Sequence, residues 1–249
     1  VKYFDELLME AMEADTEGWG FDWLDGKATE ERSSWGYARL IGERLSRVTS
    51  ALDIDTGGGE LLNEVPEFPA YMAATEARPP NLKKARQHLS PRGVNIVDTS
   101  ITKKLPFSEQ SFDLVTSRHP VAPDWPEIYR VLKPGGSYLA QHVGPASAFE
   151  LIEYFLGPLP KERMYRDPGK EKEDAEMAGL KVIDLRTARC RMTFFDISAV
   201  VWILRKCVWW VPGFSVEKYY KELQAMDQKM RLGQPFVAYS TRHLIEAKR

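Results

Sequence analysis

Leu52-Asp53-Ile54-Asp55-Thr56-Gly57-Gly58-Gly59-Glu60 is a short apolar run that breaks into three glycines and then an acidic residue. A strand that feeds a glycine-rich turn and then a helix lets backbone come close to a ligand without Cβ clashes. Such a turn serves many nucleotide-like ligands. A dinucleotide fingerprint needs a further glycine three residues after the second; counting Gly57 and Gly59 as the first two, that position is Leu62, which weighs against a nicotinamide cofactor. Glu76 stands about 20 residues beyond the turn, at the end of the next expected strand, where a carboxylate can accept both hydroxyls of a ribose. An adenosyl group without a pyrophosphate suits that pair of features. The plainer role for Glu76 is to cap the helix that follows.

Outward from the turn, short apolar runs alternate with helical segments, the pattern of βαβ units around a parallel sheet. Strands are expected at 51–54, 71–75, 94–97, 112–116 and 138–140, with helices at 81–89 and 124–132. Beyond them, 182–192 reads as a strand, 197–208 as a buried helix, Ser215 as the N-cap of a helix to Leu232, and 236–247 as a last strand. That makes seven strands. Residues 1–48 read as a helical N-terminal cap, rich in aromatic residues among charges. The remainder, 49–249, reads as one domain, with 144–215 as a section able to cover a substrate.

Five segments then recur in a familiar order. They are Leu52 to Glu60; Glu76; Leu105-Pro106-Phe107; Ser111-Phe112-Asp113-Leu114-Val115; and Arg130-Val131-Leu132-Lys133-Pro134-Gly135-Gly136. Together the set resembles the core of class I S-adenosylmethionine-dependent methyltransferases, in the branch that includes small-molecule and quinone-pathway enzymes. The match is strong over about residues 48–143 and only in outline elsewhere.

The resemblance implies an α/β, Rossmann-like, seven-stranded, mostly parallel sheet with an antiparallel last strand. It implies S-adenosylmethionine as cofactor and S-adenosylhomocysteine as product. By the same resemblance Asp53 and the turn Asp55, Thr56, Gly57 and Gly59 cradle the methionine moiety, Glu76 holds the ribose, and Ile101 and Thr102 border the adenine. Asp55 stands where the family has its first glycine, and Ile101 where it often has an acid four residues before the Leu-Pro-Phe run.

In open α/β sheets the ligands lie beyond the carboxyl ends of the strands. There the fourth strand ends in Ser117-Arg118-His119-Pro120 and the fifth in Gln141-His142-Val143-Gly144. Ser117 is expected beside the cofactor. His119 and His142 are the candidate catalytic groups, since a base is needed only where the acceptor must lose a proton. The bland alternative is that each histidine bonds backbone at a strand end. Methyl transfer is an in-line displacement, so positioning alone can supply much of the rate. His88 and His243 suggest no site, and the four histidines show no metal-ligand spacing, so no metal is expected.

The fourth-strand end lacks the Asn/Asp-Pro-Pro-aromatic run of many amino methyltransferases, which favours another small-molecule acceptor. The cluster of Trp202, Trp209, Trp210, Phe194, Phe195 and Phe214 is either core or the lining of an apolar pocket. Lys and Arg number 34 against 36 Asp and Glu, for a formal net charge of -2, so there is no basic surplus to draw nucleic acid. Two cysteines form neither a disulfide framework nor a metal cluster, which suits a reduced, cytoplasmic protein. The first twelve residues lack a signal-peptide core, and the apolar run 197–204 is too short to span a bilayer. Two other readings stay open: a catalytically silent protein of the same fold that binds or regulates a partner, and an RNA methyltransferase with a local basic groove. The oligomeric state is not legible.

Overall fold

The computed structural model describes residues 3–18, 20–102 and 104–249. Helix α1 (Phe4–Glu13) is followed by a three-residue strand β1 (Ala28–Glu30) and helix α2 (Tyr37–Leu45). The βα alternation then runs β2 (Ser50–Ile54), α3 (Glu60–Asn63), β3 (Tyr71–Glu76), α4 (Pro79–Leu89) and β4 (Asn95–Asp98). It continues with β5 (Phe112–Arg118), α5 (Trp125–Val131), β6 (Leu132–Val143), α6 (Phe149–Leu156) and α7 (Pro168–Met177). The chain closes with β7 (Lys181–Phe194), α8 (Ile197–Lys206), α9 (Tyr220–Arg231) and β8 (Phe236–Lys248).

The strands form one sheet in the order β1-β7-β8-β6-β5-β2-β3-β4. Strands β4, β3, β2, β5 and β6 are mutually parallel, and β8 lies antiparallel to β6. The sheet thus has eight strands, where seven were expected. The additional one is β1, which pairs antiparallel with β7 through only three residues. Three residues are too few to show the alternation by which a strand is read from sequence. Ser215 is also corrected: its hydroxyl accepts the Lys218 N–H in a turn, and α9 begins only at Tyr220.

The chain divides into two compact units. The larger comprises residues 33–145, 166–188 and 242–249. Successive side chains of a strand point to opposite faces, and here each face has its own core. Ala51, Leu114, Leu139 and Leu244 pack with Tyr37, Ile41 and Leu45 of α2. Their chain neighbours Leu52, Val115, Ala140 and Ile245 pack with Trp125, Ile128 and Val131 of α5 and Ala175 of α7. The first residues of α4 explain its start: Pro79 and Pro80 occupy positions where a missing N–H costs nothing.

The smaller unit comprises residues 1–32, 146–165 and 189–241. Its core is built on α8, nine of whose ten residues are buried, including every one from Ile197 to Leu204. Trp202 sits at its centre, stacked on Trp23 with ring centroids 5.5 Å apart. Trp202 and Phe194 are therefore core, whereas Phe195 and Trp209 are about half exposed, at 46% and 50%. No helix among the described residues is long and apolar enough to cross a membrane.

Candidate active site

The glycine turn leaves β2 at its carboxyl end. Asp55 adopts a left-handed conformation with φ 56°, and Gly57 and Gly59 follow at 66° and 80°. This is the position where the family has glycine, and Asp is one of the few other residues that tolerates it. Two bonds to β3 hold the turn: the Thr56 N–H donates to Thr75 O at 2.9 Å, and the Asp55 N–H to Thr75 Oγ1 at 3.3 Å. Gly59 has a packing role besides, because a Cβ there would lie 2.7 Å from Leu89 Cδ1 of α4. His88, also on α4, contacts the carbonyl of Gly58 through Nδ1 at 2.8 Å. That link joins two segments 30 residues apart and has no sequence signature.

Glu76 ends β3 with its carboxylate buried against the turn. Oε2 accepts the Gly57 N–H at 2.9 Å, while Oε1 accepts the N–H groups of Ala77 and Arg78 at 2.9 and 2.7 Å. Those two N–H groups precede α4, whose N-cap Arg78 has no side-chain cap bond, so Glu76 braces the strand end and the turn and does not cap the helix. Three bonds leave acceptor capacity on a carboxylate that offers about four lone-pair sites. Burial pushes the Glu76 carboxyl up, and the three backbone donors oppose that shift.

Asp53 is buried between β3 and β5 and accepts the Thr116 hydroxyl at 2.6 Å. Burial is the largest influence on it and pushes its pKa up to about 6. Thr56 Oγ1 lies near enough to favour the ionised form of Asp53, but it is out of bonding geometry and stays a buried hydroxyl without a partner. Burial also pushes the Asp55 carboxyl up. Two acids are therefore held in a tight, partly unsatisfied cradle. A cationic group bound there would lower both carboxyl pKa values, as an opposite charge favours the ionised form.

Across β3 from the turn, Glu76 pairs in register with Asp98 at the end of β4. Asp98 accepts the Ser100 N–H at 2.8 Å and is exposed. Ile101 is almost fully exposed at 98%, and Thr102 is exposed too, its hydroxyl donating to Lys104 O at 2.6 Å. Ser117, at the end of β5, donates to Ile54 O at 2.9 Å and so ties β5 to the strand that carries the turn.

His119 lies just past β5, also left-handed with φ 58°. Its ring state follows from a chain of bonds. The Trp35 indole N–H donates to Gln141 Oε1 at 2.8 Å, with Ser33 Oγ donating at 3.3 Å. This orients the amide so that Gln141 Nε2 donates to His119 Nε2 at 3.0 Å. His119 Nε2 is then an acceptor, and the neutral ring carries its proton on Nδ1. Burial, followed by Arg242 and Arg118, holds its pKa well below the usual range. A ring in that tautomer presents a donor at Nδ1, not a base.

His142 is separated from His119 by the pleat of β6. It follows Gln141 directly and so faces the opposite side of the sheet, where it is 2% exposed. There Tyr138 Oη donates to His142 Nε2 at 3.0 Å, and His142 Nδ1 donates to Glu171 Oε2 at 2.5 Å. His243 Nε2 donates to the same oxygen at 2.8 Å. The register of β6 and β8 sets His142 directly opposite His243, so residues a hundred positions apart meet without any local spacing to announce them. The two candidate histidines therefore do not share one cleft.

The remaining motifs serve the scaffold. Arg130 donates to both oxygens of Glu127 at 2.8 Å and to the carbonyls of Leu105 and Phe107 at 2.9 and 2.7 Å, pinning the Leu-Pro-Phe run. Asp113 accepts from Thr49, Ser50 and Lys133, which joins the Ser-Phe-Asp run to the Lys-Pro-Gly-Gly run. A Cβ at Gly136 would lie 2.9 Å from Lys133 O. These segments are thus tied to one another by hydrogen bonds.

A glycine turn leaving the central parallel strand, a buried acid at the next strand end, and an antiparallel final strand define the class I methyltransferase fold. Residues 52–140 match the family model described as a methyltransferase domain. That segment is thus a class I S-adenosylmethionine-dependent methyltransferase domain, and its cofactor is S-adenosylmethionine. Among solved structures, a Bacillus halodurans C-125 protein assigned as a methyltransferase is 20% identical, with TM-score 0.61 over 86% of this chain and 99% of that one. The YcgJ protein of Bacillus subtilis is 18% identical, with TM-score 0.60 over 86% and 97%. Haemonchus contortus phosphoethanolamine N-methyltransferase 2, solved with phosphomonomethylethanolamine and S-adenosylhomocysteine, is 19% identical, with TM-score 0.53 over 100% of this chain and 60% of that one. No curated protein matches the sequence.

Proposed function

We propose that the chain transfers the methyl group of S-adenosylmethionine, by in-line displacement, to a small-molecule acceptor in the cytoplasm. Asp53, Asp55, Thr56, Gly57 and Gly59 hold the methionine end, Glu76 the ribose, Ile101 and Thr102 the adenine border, and Ser117 the strand end beside them. The observation that carries this assignment is the bond from the Gly57 N–H to Glu76, which joins the turn and the ribose acid into one unit. Bound cofactor supplies an activated methyl group at that strand edge. His119 acts there as a positioning donor through Nδ1. His142, being buried, acts at a distance from any acceptor. The division into an N-terminal section, 1–48, and a methyltransferase domain, 49–249, belongs to the same proposal, as does placement in the small-molecule and quinone-pathway branch.

A small acceptor is supported by the balanced charge of the chain and by the absence of a basic surplus. The solved Haemonchus contortus enzyme, with its small bound amine, is compatible with that choice. The test is incubation with methyl-labelled S-adenosylmethionine and separate pools of small amines, alcohols, thiols and bulk RNA. Label in a low-mass product supports the proposal. Label confined to RNA, or none transferred despite tight cofactor binding, overturns it.

A further inference from the structure

We propose that His142, Glu171 and His243 form a binding site for one divalent transition-metal ion of the zinc class, which fastens α7 to strands β6 and β8. The three side chains come from three elements. Their donor atoms (one nitrogen from each ring and one carboxylate oxygen) all lie within 4.8 Å of one another. Two imidazoles and one carboxylate are a common donor set for such ions, and open-site zinc centres use three protein ligands plus water.

The three donor groups converge on one point. Here both rings aim at the single oxygen Oε2, at 2.5 and 2.8 Å. The rings have little freedom to do otherwise, because the β6–β8 register fixes His142 and His243 as direct partners. Around a tetrahedral ion with bonds of about 2.0–2.1 Å, donor atoms lie roughly 3.3 Å apart. To admit one, Glu171 would withdraw by less than about 1 Å, within the reach of its own side-chain torsions, and the two ring nitrogens, within 4.8 Å of each other, would settle toward the same spacing.

The surroundings fit as well. Tyr138 Oη, 3.0 Å from His142 Nε2, stands where metal-ligating histidines usually have their outer partner. His243 Nδ1 is buried without a partner; one of its ring nitrogens is left over with or without an ion, so this atom does not favour either state. Both histidine side chains are almost wholly buried, while Glu171 is 17% exposed and offers the side from which water and an ion arrive. The proposal is independent of the methyl acceptor and of the cofactor.

The test is titration of the chelator-treated full chain with Co²⁺, read by its visible ligand-field absorption, followed by displacement with Zn²⁺. The expected result is saturation at a single equivalent, with band intensities typical of four- or five-coordination and a Tm several degrees higher with Zn²⁺ than with chelator. Glu171→Gln and His243→Asn should each abolish the bands, and His88→Asn, at an exposed histidine, should leave them unchanged. Absence of a saturable spectrum in the wild type overturns the proposal without recourse to any variant. Binding that survives His243→Asn in folded protein, or that is lost in His88→Asn, also overturns it.

Discussion

Asp53→Asn should make the protein more stable at neutral pH while weakening its hold on the cofactor. Asp53 lies 4% exposed, and burial raises its pKa from the ordinary 3.8 to about 6. A folded-state pKa above the unfolded one means that folding favours the protonated acid, so ionisation opposes folding. The difference between 3.8 and about 6 corresponds to about 3 kcal/mol lost once the group is fully ionised. Below the unfolded pKa both states carry the proton and the penalty is absent. It grows as pH rises through 4 to 6 and is complete above the folded value.

Asparagine keeps the oxygen that accepts the Thr116 hydroxyl and replaces the other with an NH₂ that can donate to Thr56 Oγ1, now without a partner. Urea unfolding of wild type and variant at pH 4.5 and pH 8 measures the effect. The variant should gain up to about 3 kcal/mol at pH 8 and only about 1 kcal/mol at pH 4.5. A variant less stable at pH 8, or a difference that ignores pH, would refute the reasoning. A gain in stability joined to a loss of S-adenosylhomocysteine affinity marks a residue kept for the site at the expense of the fold.

Three further outcomes follow from the geometry. Gly59→Ala forces a side chain into a left-handed position 2.7 Å from Leu89 Cδ1; chemical unfolding should show a loss of about 2–4 kcal/mol. Trp35→Phe removes the indole donor that orients Gln141, so the fixed tautomer of His119 should be lost; ¹⁵N spectra should show a protonated Nδ1 and a bare Nε2 in wild type and a mixture in the variant, at a stability cost of about 1 kcal/mol. His119→Ala should lower turnover by about tenfold or more while leaving cofactor affinity nearly unchanged; equal loss of both would assign the ring a purely structural part.

Much of this fold was legible because its signals are local. The glycine turn, the alternation of apolar runs and the entry proline pair of α4 each lie within a few residues of one another. The strand β1 was not legible, since three residues carry no period and its pairing with Thr193 is made far along the chain. The site divides in the same way. Glu76 could be found by counting from the turn, yet its triple backbone bonding could not. The meeting of His142 with His243 depends on sheet register, which no spacing in sequence encodes. The expectation of no metal rested on spacing alone, and that register removes its ground. His119 and His142 lie on neighbouring segments, but the pleat of β6 turns them to opposite faces.

Calorimetric titration of wild type and Glu76→Gln with S-adenosylhomocysteine tests most directly whether the turn and its acid form the cofactor site. Glutamine keeps the side-chain shape but removes the charge to which a ribose hydroxyl would donate, a difference between bound and free protein of about 1–3 kcal/mol. The account predicts micromolar binding by the wild type, about -8 kcal/mol, and affinity lower by roughly 5- to 150-fold in the variant. Binding of equal strength in both proteins, or no heat with either, would contradict it.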